Sequence, residues 1–230
     1  MHQENHFRQP EFIKDVIIGL SDGITVPFAL TAGISGAVNS NHIIITAGLA
    51  EICAGAISMG LGGFLAGKSV EDYYHGELQR EYREVEEQYE KEKEEIREIF
   101  AAYGLSKQIQ NDVADALAKD KDKWVEFMMR YELGLEKPDT KRARKSALNI
   151  SISYILGGLI PLLGYVGTSS PEHGLRDSCI ITLLCLLVFG YFKSKLTGQK
   201  PFSGALKTTA IGLAAAAAAF GIAYLFNHKI

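Results

Sequence analysis

Long apolar stretches alternate with one highly charged segment along this chain of 230 residues. Five stretches are apolar over about 20 residues, the length that a helix needs to cross the hydrocarbon core of a bilayer. A single soluble core does not need this much continuous apolar sequence. The pattern therefore predicts an all-α integral membrane protein with five transmembrane helices. The predicted spans cover residues 16–38, 42–67, 146–168, 175–195 and 205–227.

The charged segment lies between the second and third predicted spans. Residues 68–145 contain 20 of the 27 acidic residues and 16 of the 24 lysines and arginines. Apolar positions at the start of this segment recur with a helical period, so it is predicted to be a helical insert outside the bilayer. The chain would then divide into residues 1–67 with two spans, the insert 68–145, and residues 146–230 with three spans.

Lysines and arginines near the span ends predict the orientation of the chain. The N-terminal tail, both ends of the insert and the loop between the last two spans are rich in them. Residues 39–42 contain none, and residues 168–177 contain only Arg176. We therefore expect the N-terminus and the insert on the cytosolic side and the C-terminus across the membrane. The polar start, residues 1–15, lacks the short apolar core of a cleavable signal peptide.

Two carboxylates occur within the first two predicted spans, Asp22 in the first and Glu51 in the second. An ionisable group inside a span costs roughly 3 kcal/mol on insertion scales, and it usually faces a bundle interior and serves an ion or proton path. Alternatively, Asp22 is an interfacial residue near the cytosolic end of its span.

Met59 lies near the helical face of Glu51, and a thioether beside carboxylates suits a borderline metal better than Mg²⁺ or Ca²⁺. Otherwise Met59 is a packing residue.

Glutamates form a stripe along the first part of the insert. Glu81 and Glu84 are three residues apart, as are Glu92 and Glu95. Residues at this spacing lie on adjacent turns of a helix, where like charges repel each other. A divalent cation would turn that repulsion into chelation. The alternative is a solvated helix face, because lysines and arginines lie nearby.

The sequence leaves open how the two glutamate pairs are arranged. The helical pattern extends from residue 69 to about 103, and the link VEEQYEKEKEE between the pairs can continue a helix. In one continuous helix Glu84 and Glu92 would stand about 12 Å apart along the axis, too far for one ion to bridge. The pairs would then form separate sites, unless the chain bends near residues 88–91. Met128 and Glu132 share a face of a later helix and could close a carboxylate-rich site.

Several motifs together resemble the vacuolar iron transporter family. They are DVIIGLSDGITVPFALTAGISGA in the first span, AEICAGAISMGLGGFLA in the second, the Glu-rich insert ending in FMMRYELGLEKPD, and KPFSGAL before the last span. The resemblance covers nearly the whole chain. It implies a homodimer of five-helix subunits that exports Fe²⁺ from the cytosol in exchange for protons, with Mn²⁺ as the second candidate cargo.

The resemblance also implies roles for particular residues. Asp22, Glu51 and Met59 would line a translocation path at the dimer interface. It further implies a vacuolar membrane in a eukaryote or the plasma membrane in a prokaryote, no nucleic-acid partner, and no cofactor beyond the bound or transported Fe²⁺, Mn²⁺, Zn²⁺ or Co²⁺. The metal ligands of the cytosolic insert would be Glu81, Glu84, Glu92, Glu95, Met128 and Glu132.

Other classes of protein make different demands on the sequence. A membrane-bound diiron ferroxidase of the ferritin-like type typically uses Glu-x-x-His motifs, and the insert contains none, so we predict a protein that is not an enzyme. A passive cation channel would use the carboxylates only to attract ions. An inert structural protein gains nothing from carboxylates in hydrocarbon.

Overall fold

Every regular element that the computed structural model describes, over residues 11–229, is an α-helix. Five of these helices are long and apolar enough to cross a membrane, namely Glu11–Ser35, Asn41–Glu87, Arg142–Leu163, Pro171–Leu196 and Pro201–Phe226. The predicted all-α fold with five transmembrane helices is therefore confirmed, whereas most of the polar N-terminal tail lies outside the described residues. The helices are α1 (Glu11–Ser35), α2 (Asn41–Glu87), α3 (Tyr89–Ala102), α4 (Lys107–Leu117), α5 (Lys121–Tyr131), α6 (Arg142–Leu163), α7 (Pro171–Leu196) and α8 (Pro201–Lys229).

The chain divides into two compact units. The insert unit comprises Leu65–Arg142 and holds α3, α4, α5 and the second part of α2. The membrane unit holds α1, the first part of α2, and α6 to α8. Helix α2 contributes to both units and is the longest of the described helices.

Glycines bring the backbones of α1 and α6 together in the membrane unit. A Cβ atom on Gly23 would overlap the backbone of Tyr154, and one on Gly19 would overlap the carbonyl of Ile150. On α6, a Cβ atom on Gly157 would stand 3.0 Å from the α1 backbone. Small residues permit such close approach, which is a common basis of helix association in membranes. The contact seats Tyr154 directly against α1.

The insert unit has an apolar core of its own. Trp124 and Met128 of α5 are fully buried there, together with Val85 of α2 and Ile96 of α3. The ring of Tyr89 meets the Trp124 indole edge to face, with the ring centroids 5.2 Å apart. The core therefore draws side chains from both sides of the junction between α2 and α3.

Of the two arrangements that the sequence left open for residues 69–103, a continuous helix and a bend near residues 88–91, the structure has the second. Helix α2 ends at Glu87 and α3 begins at Tyr89, with Gln88 between them at φ −125° and ψ 35°. The glutamates, lysines and glutamine around this point all favour helix, so local propensity does not explain the break. Burying a Val or Ile side chain contributes about 1.5–3 kcal/mol, whereas a backbone hydrogen bond contributes a net ~1 kcal/mol. Packing of both helices on one core thus outweighs local helix continuity.

Candidate metal sites

Three carboxylates that are distant in the sequence meet in the insert unit. Glu81 of α2, Glu92 of α3 and Glu132, which follows α5, have carboxylate oxygens within 4.8 Å of one another. Glu81 and Glu92 are each 1% exposed, whereas Glu132 is exposed. In an unbroken helix Glu81 and Glu92 would stand roughly 16 Å apart along the axis. The break at Gln88 is therefore what allows the two buried carboxylates to meet.

Burial and mutual repulsion make these carboxylates hard to ionise. The pKa values of Glu81 and Glu92 are each raised to about 7, chiefly because burial disfavours the charged form. Repulsion adds to this, first from Glu132 on Glu81 and first from Glu95 on Glu92. The pKa of Glu132 is also raised, first by partial desolvation of its carboxylate beside the two buried glutamates and then by repulsion from Glu95 and Glu84. A divalent cation would remove this repulsion and stabilise the ionised forms.

The outer glutamates of the stripe are paired with basic side chains. Arg80 Nε lies 3.4 Å from Glu84, and Lys91 Nζ lies 3.2 Å from Glu95. Both basic side chains are exposed, and ion pairs at exposed positions contribute little to stability. Glu84 and Glu95 therefore flank the cluster and can be released from their partners at small cost.

One oxygen of the cluster lacks a partner. Glu81 Oε2 is buried and accepts no hydrogen bond from the described residues. The nearest Arg80 nitrogen lies 4.0 Å from the other oxygen of Glu81, beyond hydrogen-bonding distance. Met128, one turn before Glu132 on α5, is fully buried in the core of the insert unit. The cluster thus contains one buried oxygen, Glu81 Oε2, that a cation could bind. The thioether of Met128 lies on α5, the helix that Glu132 follows.

In the membrane unit, Tyr154 of α6 reaches the carboxylate of Glu51. Its hydroxyl donates a 2.5 Å hydrogen bond to Glu51 Oε1, while Glu51 Oε2 is buried without a hydrogen-bond partner among the described residues. Tyr154 is 2% exposed, and its phenol occupies the space that a side chain at Gly55 would need. Asp22 is half-buried and directly precedes Gly23, whose Cα stands against the backbone of Tyr154. Tyr154 therefore lies near both carboxylates of the predicted spans, and Met59 is half-buried about two turns beyond Glu51.

Comparison with known proteins identifies the group to which this chain belongs. The VIT family model matches residues 13–224. The chain belongs to the VIT family. Vacuolar iron transporter 1 of Arabidopsis thaliana is 51% identical over 227 residues, which are 99% of this chain and 91% of that protein. Vacuolar iron transporter 1 of Oryza sativa subsp. japonica is 51% identical over 222 residues, 96% of this chain and 88% of that protein.

A more distant relative extends the comparison to a fungus. Protein CCC1 of Saccharomyces cerevisiae is 40% identical over 227 residues, covering 94% of this chain and 70% of that protein. The resemblance to the vacuolar iron transporter family that the span and insert motifs indicated is therefore confirmed.

Two polar residues of this VIT-family chain were not predicted from the sequence. One is Tyr154, and the available signal was its hydroxyl, since a phenol buried in an apolar setting usually finds a hydrogen-bond partner. The other is Asp15, which was counted with the polar start. Asp15 is buried within α1 and accepts hydrogen bonds from Ser146 at 3.0 Å and Asn149 at 3.3 Å. It ties α1 to α6 close to the first residues of both helices.

Proposed function

We propose that this chain transports Fe²⁺ across a membrane and moves it out of the cytosol in exchange for protons. The observation that carries the proposal is the meeting of Glu81, Glu92 and Glu132 within 4.8 Å in the insert. The two plant relatives are named vacuolar iron transporters, which supports iron as the cargo and transport rather than enzymatic conversion. The membrane would be vacuolar in a eukaryote and the plasma membrane in a prokaryote, with the insert on the cytosolic side.

The insert is proposed to capture the metal before it enters the membrane unit. Glu81, Glu92 and Glu132 would bind the ion through carboxylate oxygens, with Glu84 and Glu95 as further ligands once they leave their basic partners. Met128 would add a thioether, which favours Fe²⁺ over Mg²⁺ or Ca²⁺. Mn²⁺ accepts the same carboxylate oxygens and is the second candidate cargo, ahead of Zn²⁺ and Co²⁺.

The path across the membrane is proposed to pass Asp22, Glu51 and Met59. Tyr154 engages one oxygen of Glu51, which leaves the second oxygen for a metal ion or a proton. At about 100° per residue, Ser58 and Gly62 lie on the same face of α2 as Glu51. Both are small and exposed, so a second copy of the chain can pack closely against this face. We place the path at the interface of such a homodimer.

Proton exchange follows from the chemistry of Glu51 in this scheme. A carboxylate must be deprotonated to bind a metal, so metal binding and proton release are linked. Facing the cytosol, ionised Glu51 would accept Fe²⁺. Facing an acidic compartment, it would take up a proton and release the metal. One residue would thus serve both ions without a separate proton channel.

Flux into proteoliposomes at clamped voltage tests this function. Fe²⁺ uptake by the wild-type chain should be faster when the interior is acidic, and outward proton movement should depend on Fe²⁺. Glu51→Gln should abolish both, whereas Glu90→Gln, at an exposed position of α3, should change neither. Equal uptake with and without the acidic interior would identify a passive channel. Oxygen consumption with Fe³⁺ formation, and no flux, would identify a ferroxidase.

A further inference from the structure

Four lysines surround the turn between α7 and α8 without any acidic residue to balance them. They are Lys193, Lys195, Lys200 and Lys207, and the sequence has no Asp or Glu from residue 178 to its end. None of the four forms an ion pair within the part of the chain that the structure describes. In the insert, by contrast, a carboxylate pairs with each of Lys68, Lys91, Lys93, Lys121 and Lys123.

Large apolar side chains stand exposed beside these lysines. Phe202 is 81% exposed and Leu206 is 68% exposed, both in the first two turns of α8. Helix α8 continues from this point as a candidate membrane span, so the turn lies where the hydrocarbon core ends. Exposed aromatic and aliphatic side chains among lysines are typical of surfaces that bind at the membrane interface.

Helix electrostatics distinguish two of the lysines from the others. Lys193 and Lys195 lie in the last turn of α7, where a cation interacts favourably with the helix dipole. Lys200 immediately precedes α8 and Lys207 lies in its second turn, near the end of the helix where the dipole favours anions. Positive side chains at that end gain nothing from their own helix. Their charge is therefore available to an anion from outside the chain.

We propose that the turn between α7 and α8 binds the phosphate groups of anionic phospholipids through Lys200 and Lys207. Phe202 would insert between the acyl chains of the same leaflet. Basic residues beside a membrane surface attract anionic headgroups, and a lysine ammonium binds phosphate as a compact point charge. The proposal concerns the lipid surroundings of the membrane unit, so it stands or falls independently of the proposed transport function.

Lipid binding by the purified full-length chain tests the proposal. Native mass spectrometry in detergent would compare phosphatidylinositol phosphate with phosphatidylcholine. Lys200→Gln with Lys207→Gln should weaken binding of the anionic lipid by about 25-fold, because each lysine near a membrane surface contributes about 1 kcal/mol, or roughly fivefold. The matched control, Lys107→Gln with Lys119→Gln, removes the same charge from exposed positions of the insert and should leave binding unchanged.

The outcomes separate a built lipid surface from general electrostatics. Equal weakening in both double variants, or no preference of the wild-type chain for the anionic lipid, would overturn the proposal. A further variant, Phe202→Ala, should weaken binding of the lipid but not of soluble inositol phosphate. If inositol phosphate binds as tightly as the lipid, and Phe202→Ala affects neither, the turn is a site for free phosphate groups and the lipid assignment is wrong. Thermal melting of each variant checks that the fold is retained.

Discussion

Metal binding to the insert should depend steeply on pH between 8 and 6. Glu81 and Glu92 have pKa values of about 7, and each must lose its proton to bind a metal. With two such groups, the apparent association constant should fall about 100-fold from pH 8 to pH 6, which corresponds to about 2.7 kcal/mol. Two exposed glutamates with ordinary pKa values would stay ionised over this range and give almost no change.

Trp124 provides the signal for this measurement. It is the only tryptophan of the chain, it is buried in the core of the insert unit, and it lies about two turns before Glu132 on α5. The purified full-length chain would be titrated with Co²⁺, which is stable in air, at pH 6, 7 and 8 and constant ionic strength. Quenching of the tryptophan fluorescence then reports the affinity at each pH.

Two substitutions on α3 make the titration specific. Glu92→Gln should weaken Co²⁺ binding at pH 8 and reduce the pH effect to about tenfold, because one titrating carboxylate remains. Glu90→Gln removes an exposed carboxylate from the same helix and should leave the affinity and its pH dependence unchanged. A wild-type change below about threefold between pH 8 and pH 6 would refute the raised pKa values. Equal effects of the two substitutions would refute the location of the site.

The stability of the insert, the proposed path and the packing of the membrane unit can each be tested separately. Without metal, the two buried glutamates have folded-state pKa values of about 7 against 4.5 unfolded. Their contribution to the stability of the insert should therefore be greatest below about pH 4.5 and be lost as the pH rises through 7. Tryptophan fluorescence during thermal unfolding measures this, and an unfolding temperature that rises from pH 5 to pH 8 would contradict it. Tyr154→Phe should slow Fe²⁺ uptake roughly tenfold, because a hydrogen bond to a charged group contributes about 1.5 kcal/mol or more. Asp22→Asn and Glu51→Gln should abolish uptake although the protein still folds. Uptake at the wild-type rate by any of the three variants would show that the substituted residue is not part of the path. Gly23→Val should prevent assembly of the membrane unit, whereas Gly76→Ala, which meets no atom within 4 Å, should not, as size-exclusion chromatography would report.

The membrane spans could be predicted from the sequence because the bilayer imposes a local rule. A helix surrounded by lipid must be apolar over about 20 consecutive residues, whatever its neighbours are. Each of the five predicted spans accordingly overlaps one of the five long apolar helices. Asp22 and Glu51 could be recognised as candidate functional residues for the same reason, since a charged residue is unusual within an apolar span.

The carboxylate cluster of the insert could not be predicted in the same way. Its geometry depends on the break at Gln88, and the residues around Gln88 favour helix. The break follows from contacts between distant parts of the chain, such as the packing of Tyr89 against Trp124. Only the possibility of a bend near residues 88–91 was apparent from the spacing of the glutamate pairs.

Tyr154 shows the same limit in the membrane unit. Its partner, Glu51, lies 103 residues earlier in the chain. The two meet because α6 packs closely enough on its neighbours for the phenol to fill the space beside Gly55. A tyrosine in an apolar span indicates that a partner exists, but only the packed helices show which residue it is.

The glycine contact between α1 and α6 has a mechanical consequence. Where two backbones touch, neither helix can tilt or slide past the other without collision, so α1 and α6 should move together as one rigid pair. Asp22 and Tyr154 belong to this pair and keep their relative positions, whereas Glu51 belongs to α2. Helix α2 also packs closely on α6, because a Cβ atom on Gly60 would overlap the side chain of Ser151 and one on Gly63 would overlap that of Ile150. These contacts hold Glu51 against Tyr154, so a movement of α2 relative to the other two helices would have to break the hydrogen bond between them.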